Sequence, residues 1–89
     1  MKYVMTYRAV EDFLLLAQEN YPAHSARVEE FARRGDLLMV GTFDEPMNGE
    51  AMGVFTTREA AEEFARGDAF VLNGVVRDWR VLAWEESLA

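Results

Sequence analysis

The sequence NYPAHSARVEEFARRGDLLMVGTF, residues 20–43, changes from a helical pattern of apolar residues to an extended one. Asn20 is a good N-cap, and Pro22 suits a first helical turn, where no amide hydrogen is needed. Gly35 stands where a residue in the left-handed conformation commonly ends a helix. We therefore predict a helix that starts at Asn20 and ends before Gly35, followed by a strand over residues 37–43.

Strand patterns occur on both sides of this unit. The sequences KYVMTYR (2–8) and VVRDWRVLAWE (75–85) contain many β-branched and aromatic residues, which predicts strands near both ends of the chain. Residues 51–57 predict a partner for the strand at 37–43, because DEPMNGE at 44–50 favours a turn between them. These two strands should form a hairpin.

A second helix follows the hairpin. Thr56 and Glu59 fit a capping box at its start, and Gly67 marks its end. Residues 68–74, DAFVLNG, predict one further short helical turn. Residues 10–20, which include EDFLLLAQEN, have contiguous rather than periodic apolar residues, so a short helix and a packed loop both remain open.

The predicted element order is β-α-β-β-α-β. This order is typical of the ferredoxin-like split βαβ fold of the α+β class, in which two helices cover one face of a four-stranded antiparallel sheet. The 89 residues correspond to a single domain, residues 1–89.

Composition and charge narrow the classes of function. The net charge of −7 argues against nucleic acid and anionic membranes as partners, because phosphate groups are bound by basic surfaces. A small anionic substrate would need a few arginines at a local pocket. The chain has no cysteine and no N-terminal signal pattern, which predicts a protein of the reducing cytoplasm.

The strands carry apolar residues on both of their faces. The face without helices should be polar in a monomer, yet both alternation sets are apolar in every predicted strand. An exposed face of this kind would be a large apolar patch. We therefore predict a homodimer that packs its two open sheet faces together; the alternative is that residues 9–20 fold back over this face. For the four predicted strands in chain order, the apolar residues on one face and on the other are Tyr3/Met5 against Val4, Leu38/Val40 against Leu37/Met39, Met52/Val54 against Ala51/Phe55, and Trp79/Val81 against Leu82/Trp84.

His24 is the single histidine, and it falls on the inward face of the first predicted helix. It shares that face with Val28 and Phe31, at helical spacing. Partial burial and the positive end of the helix dipole both favour a neutral imidazole, which is a competent general base. The simpler explanation is a core histidine that is hydrogen-bonded to backbone.

Asp68 is the second candidate catalytic residue. It follows Gly67 and precedes the short helical turn, where aspartate is a favourable N-cap. An aspartate can also accept a hydrogen bond from an imidazole and fix its tautomer. Spacing alone does not establish whether His24 and Asp68 meet.

Arg8 and Tyr7 are candidate substrate-binding residues at the end of the first strand. Arg8 could hold an anionic substrate and Tyr7 could donate its hydroxyl, although a surface charge and a packing aromatic are the simpler explanations. One histidine without cysteine gives no recognisable metal site, although a carboxylate-rich magnesium or manganese site stays open. No Gly-rich phosphate loop or dinucleotide fingerprint occurs, so we predict no cofactor.

These residues together resemble the YciI-like (YCII-related) family over nearly the whole chain. Where that family usually has DPF or DPY, this chain has DAF with Ala69, which keeps the aspartate and the aromatic residue. The resemblance is carried by His24, by GDLLMVGTF with Gly35 and Gly41, by Gly53, by EAAEEFARGDAFVLNGVV with Ala61, Phe64, Asp68, Phe70 and Gly74, and by Trp84.

The resemblance implies a dimeric α+β barrel built from ferredoxin-like protomers. It also implies an active site centred on His24 and Asp68. Most members have no established reaction, and some related domains act in the breakdown of chlorinated aromatics.

Two functions follow from these observations. The first is a small enzyme in which His24 and Asp68 carry out acid/base chemistry, such as isomerisation or dehydrohalogenation, on a small organic molecule. The alternative is a non-catalytic ligand-binding or regulatory dimer in which the pair is structural or recognises a ligand. An enzyme needs a cavity of roughly 300 Å³ or more beside His24.

Overall fold

The computed structural model describes residues 1–43 and 48–87. The described elements follow the predicted order, the short helical turn predicted within residues 68–74 is present, and the ferredoxin-like α+β prediction is confirmed. Most of the predicted turn at 44–50 lies outside the described residues. In chain order the elements are β1 (Lys2–Ala9), α1 (Phe13–Arg33), β2 (Leu37–Thr42), β3 (Glu50–Phe55), α2 (Arg58–Gly67), α3 (Ala69–Leu72) and β4 (Val76–Trp84).

The sheet has four strands in the order β2-β3-β1-β4, and all neighbouring strands are antiparallel. Met5 of β1 lies opposite Gly53 of β3 and Val81 of β4. Side chains alternate along a strand, so Met5 and Tyr7 face the helices while Val4 and Thr6 face the other side. The alternation predicted for β1 and β4 is therefore correct.

The core lies between the helices and one face of the sheet. Phe64 of α2 packs edge-on against Phe31 of α1, with ring centroids 5.3 Å apart. It also packs against Phe55 of β3 at 5.5 Å. All three rings are buried. Replacing a phenylalanine in such a position by alanine typically costs about 3–5 kcal/mol, so these rings hold α1 and α2 on the sheet.

Helix α1 begins at Phe13, and the predicted start at Asn20 is wrong. Leucine and alanine favour helix, and the contiguous apolar residues from Phe13 onward extend it at its N-terminus. Asn20 is an interior residue whose side-chain amide donates to the carbonyl of Leu16 at 2.9 Å. Pro22 also lies inside the helix. The extension packs on the helix side of the sheet, so it does not fold back over the open face.

The helix ends follow cap chemistry. Gly35 adopts a φ of 83°, and its amide donates to the carbonyl of Ala32 while Asp36 donates to that of Phe31. This is the Schellman arrangement that a glycine permits. The start predicted for α2 is wrong by one residue: the N-cap is Thr57, whose side chain accepts from the amide of Ala60 at 3.0 Å.

The face of the sheet away from the helices remains apolar. The register places Val4 between Val54 of β3 and Leu82 of β4 on this open face. Leu82 is 42% exposed, as is Trp84, and Met39 is 60% exposed. Separately, none of the helices in the described part of the chain is long and apolar enough to cross a membrane.

Candidate active site

His24 projects from the inward side of α1. It precedes Val28 by one turn and Phe31 by two turns, and Phe31 is completely buried. The His24 side chain is 15% exposed, so it lies at the edge of the core. The helical spacing therefore places the imidazole on the predicted inward face. The predicted position near the positive end of the helix is wrong, because α1 begins at Phe13 and His24 lies in its interior.

Asp68 lies at the junction of α2 and α3, and its side chain is fully buried. Its carboxylate oxygens lie 2.9 Å and 3.0 Å from Nδ1 of His24. One oxygen also accepts from the amide of Phe70 at 3.2 Å, which makes Asp68 the N-cap of α3. Both explanations considered for Asp68 therefore hold together: it caps a helix and it contacts the histidine.

A third donor completes the surroundings of the carboxylate. The hydroxyl of Tyr7 donates to Oδ2 of Asp68 at 2.7 Å. A buried carboxylate without partners would be strongly destabilising, and three donors compensate for its lost hydration here. The structure thus brings Tyr7, His24 and Asp68 together from β1, α1 and the α2–α3 junction.

The contact with Asp68 determines which imidazole nitrogen carries the proton. A carboxylate accepts hydrogen bonds, so Nδ1 of His24 must be the protonated nitrogen. Nε2 makes no hydrogen bond within the described residues, and in the neutral ring it keeps its lone pair. Such a nitrogen can remove a proton from a bound molecule and return it.

Tyr7 is held in its protonated form. Burial of the phenol raises the pKa of Tyr7 far above its ordinary value, and the adjacent Asp68 carboxylate raises it further. The positive charge of Arg27 acts in the opposite direction with a smaller effect. Tyr7 therefore serves as a donor to Asp68. It also lines the cavity beside His24, and its contact with substrate stays a prediction.

Phe70 supplies a feature of the site that sequence reasoning missed. Its ring lies parallel to the imidazole of His24, with centroids 3.9 Å apart and 2° between the planes. In the sequence, Phe70 stands out only as a position shared with a family. One signal was available in the sequence. Phe70 is an aromatic residue in the first turn after Asp68, and Asp68 is both an N-cap and a candidate partner of His24.

A cavity of about 450 Å³ opens beside His24 between α1 and the sheet. This volume exceeds the roughly 300 Å³ that an enzyme site requires. The cavity extends to Val40 and Thr42 of β2, which are exposed. Its lining is mostly apolar and includes Met5, Phe13, Ala17, Val28, Phe55 and Phe70.

The described lining of the cavity has no lysine or arginine side chain. Glu50 is the only carboxylate among these described lining residues. The residues outside the description, 44–47 and 88–89, include no lysine or arginine either. The described residues of this protomer therefore offer an anionic group no countercharge in the cavity.

Arg8 is not part of this site. It follows Tyr7 in β1, so its side chain points to the opposite face of the sheet. There it is exposed, opposite Asp78 and Glu50 in the register. The structure brings Tyr7 to His24 and does not bring Arg8, because adjacent strand residues face opposite sides.

Nothing in the described residues resembles a metal centre. Within 1–43 and 48–87, no three side chains of histidine, cysteine, aspartate or glutamate converge. The pair formed by His24 and Asp68 stands with an aromatic ring and a phenol rather than with further carboxylates.

Known structures share this fold. A 5-chloro-2-hydroxyhydroquinone dehydrochlorinase, TftG, from Burkholderia phenoliruptrix AC1100 in complex with 2,5-dihydroxybenzoquinone aligns over 98% of this chain and 96% of its own, with TM-score 0.79 and 17% identity. An antibiotic biosynthesis monooxygenase aligns over 98% of each chain, with TM-score 0.59 and 16% identity. A conserved protein from Methanosarcina mazei Go1 aligns over 97% of this chain and 91% of its own, with TM-score 0.56 and 12% identity. These likenesses establish the fold.

Sequence comparison gives one family. A family model described as the YCII-related domain matches residues 1–85. No curated protein matches the sequence significantly.

Proposed function

This chain belongs to the YCII-related domain family, and from that premise we propose that it is a small enzyme whose His24, oriented by Asp68, transfers protons on an uncharged organic molecule. One observation carries the proposal. The Asp68 carboxylate accepts from Nδ1 of His24, which leaves Nε2 without a partner among the described residues, in a side chain that lines the cavity.

The proposed chemistry follows from this geometry. Nε2 of His24 removes a proton from the substrate, and the ring becomes an imidazolium. The buried carboxylate of Asp68 stabilises this cation, as in other histidine–aspartate pairs. Nε2 then returns the proton to another atom of the substrate, which is an isomerisation. Alternatively, a leaving group departs with its electron pair, which is an elimination.

The cavity favours uncharged substrates. An anion would lose its hydration in a largely apolar space whose described lining has no lysine or arginine, and burial of an unpaired charge is strongly unfavourable. It would also approach the carboxylate of Asp68. A neutral molecule with a weakly acidic proton avoids both costs. The arginine-dependent anionic substrate considered from sequence finds no support in this cavity.

The similar dehydrochlorinase supports the reaction class. The name of that protein describes loss of hydrogen chloride from a chlorinated hydroquinone, and its bound molecule is a small quinone. Loss of hydrogen chloride removes one proton from the substrate, which is a task for a base. At 17% identity this likeness supports a type of chemistry for the present chain and no particular substrate.

The proposed enzyme acts as a homodimer. The open sheet face carries Leu82, Trp84 and Met39 in exposed positions. Apolar burial contributes roughly 25 cal/mol per Å², so packing two such faces together relieves a substantial unfavourable exposure. We place this dimer in the cytoplasm, as the composition without cysteine predicts.

The proposal is tested by proton exchange in D₂O. The protein is incubated with neutral cyclic ketones, hydroquinones and phenols, each beside a carboxylate analogue of similar size, and deuterium incorporation at carbon is followed by proton NMR. We expect exchange with at least one neutral compound and with none of its carboxylate analogues. His24→Gln should abolish the exchange, and Arg34→Met, at the far end of α1, should retain it.

Two outcomes oppose the proposal. Ligands that bind in the cavity without any exchange above that of His24→Gln would establish the non-catalytic ligand-binding protein. Preferential exchange of the carboxylate compounds would refute the uncharged substrate class.

A further inference from the structure

Arg27 follows His24 on the same side of α1, three residues further along the helix. Its side chain is half-buried and crosses to the C-terminal end of α2. Nε donates to the carbonyl of Phe64 at 3.0 Å, and Nη2 donates to the carbonyl of Glu63 at 2.7 Å. A guanidinium is well suited to this position, because the last carbonyls of a helix carry partial negative charge.

The bond to Phe64 fills a gap in the backbone pattern of α2. The amide of Asp68 donates to the carbonyl of Ala65, three residues back, at 3.3 Å. It therefore does not take the carbonyl of Phe64, four residues back, as a continuing α-helix would. Arg27 supplies the donor instead. The backbone thus leaves α2 at Asp68, and the carbonyl of Phe64 that this exit leaves free accepts a hydrogen bond from Arg27 of α1.

Gly67 provides the space for this arrangement. A Cβ atom at this position would lie 2.6 Å from Cζ of Arg27, which is far too close for a real contact. Gly67 does not have the left-handed conformation that glycine alone adopts easily. Its lack of a side chain is therefore required by the guanidinium and not by the backbone.

Two aromatic rings hold the guanidinium in place. Cζ of Arg27 lies 4.8 Å from the ring centroid of Phe31 and 5.8 Å from that of Phe64. Contacts of this kind are attractive because the face of an aromatic ring carries partial negative charge. Because both rings are buried core residues, Arg27 is anchored at a defined position relative to the core.

We propose that Arg27 is a positioning residue that sets the separation of His24 and Asp68. From α1 it fixes the backbone at 63–64, one helical turn before Asp68, whose carboxylate meets His24 of the same helix. The helix α1 therefore holds the α2–α3 junction at two points, the guanidinium of Arg27 and the imidazole of His24. The contact made by Arg27 keeps the imidazole of His24 at hydrogen-bond distance from Asp68. The catalytic meaning of this arrangement rests on the proposed function.

The test compares the tautomers of His24 by ¹⁵N NMR, at a pH where the ring is neutral. Arg27→Met removes the donors but keeps an apolar stem, and Gly67→Ala displaces the guanidinium while favouring helix. We expect both to lower the ratio of Nδ1–H to Nε2–H tautomers by roughly threefold to tenfold, which corresponds to the net value of one hydrogen bond. Gly67→Ala keeps every functional group, so a fold lost in Arg27→Met leaves the test intact.

Arg34→Met is the matched control. Arg34 also lies over the ring of Phe31, with Cζ 4.0 Å from the ring centroid. It pairs with the side-chain carboxylate of Glu63, whereas Arg27 binds the backbone carbonyl of that residue. Loss of Arg34 should leave the tautomer ratio unchanged. A native ratio in both Arg27→Met and Gly67→Ala would overturn this inference alone. A wild-type protein without the Nδ1–H tautomer would overturn the proposed function as well.

Discussion

The imidazole of His24 lies flat against the ring of Phe70, with centroids 3.9 Å apart and 2° between their planes. The Asp68 carboxylate determines which nitrogen is protonated, and the phenyl ring determines the plane in which both nitrogens lie. Together these contacts remove the two rotations that a histidine side chain otherwise retains. A base with a fixed direction needs no reorganisation when a substrate binds.

Substitution of Phe70 tests this stacking. The ring current of Phe70 should shift the carbon-bound protons of His24 upfield in the wild-type protein. In Phe70→Leu we expect these resonances to move downfield, because leucine keeps apolar volume but has no ring. Phe70→Tyr is the matched control and should keep the upfield shift. Identical imidazole shifts in the leucine variant and the wild type would show that the rings do not stack in solution.

Removal of the Tyr7 hydroxyl should destabilise the fold. Tyr7→Phe leaves the buried carboxylate of Asp68 without one of its three donors, at an expected cost of about 1–3 kcal/mol in the free energy of unfolding. Urea unfolding at neutral pH measures this difference. Tyr3→Phe is the control on the same strand and face, and it should change the free energy by less than about 0.5 kcal/mol. Equal effects of the two substitutions would contradict the role of the hydroxyl.

The raised pKa of Tyr7 predicts a dependence of stability on alkaline pH. Its folded pKa is above the value near 10 of an exposed tyrosine, so the unfolded chain loses this proton first as the pH rises. The stability it contributes is complete below about pH 10 and decreases above it, by up to ~1.4 kcal/mol per pH unit.

Comparison with Tyr7→Phe separates the pH-dependent stability that Tyr7 contributes from the contributions of other titrating groups. The free-energy difference between wild type and Tyr7→Phe should shrink from about pH 8 to about pH 11. Urea unfolding at several pH values gives the curve. A difference that stays constant across this range would mean that Tyr7 is not buried beside a carboxylate.

The open sheet face predicts the oligomeric state. Light scattering after size exclusion should give twice the mass of the chain. Leu82→Glu places a charge on that face and should produce a folded monomer. Leu15→Glu, on the outer side of α1 where the side chain is 75% exposed, should leave the dimer intact. A wild-type monomer, or a dimer that survives Leu82→Glu, would contradict the predicted interface.

Much of the fold follows from hydrophobic periodicity. The alternation in β1 and β4 correctly separates their two faces, and the spacing of Val28 and Phe31 correctly identifies the buried face of α1. The start of α1 does not follow, because Asn20 and Pro22 form a convincing helix start at a place where the chain is already helical. Local cap chemistry favoured one boundary, and the helix propensity of the preceding leucines favoured another.

The site was predictable only in part. The spacing of α1 identifies His24, but Asp68 lies 44 residues away, and only the packing of α1 against the α2–α3 junction brings the two together. Alternation along β1 already implies that Tyr7 and Arg8 face opposite sides, so both could not line one cavity. The contact of Arg27 with Gly67 depends on the meeting of two helices and has no signal in either segment alone.

The most direct test of the central claim is the protonation of the two His24 nitrogens in the wild-type protein, read from their ¹⁵N shifts at a pH where the ring is neutral. The single histidine makes the assignment unambiguous. We predict a proton on Nδ1, bound to Asp68, and an unprotonated Nε2 whose shift changes when a neutral ligand enters the cavity. A proton on Nε2 would contradict the account, because Asp68 would not orient the imidazole and the cavity would face a donor instead of a base.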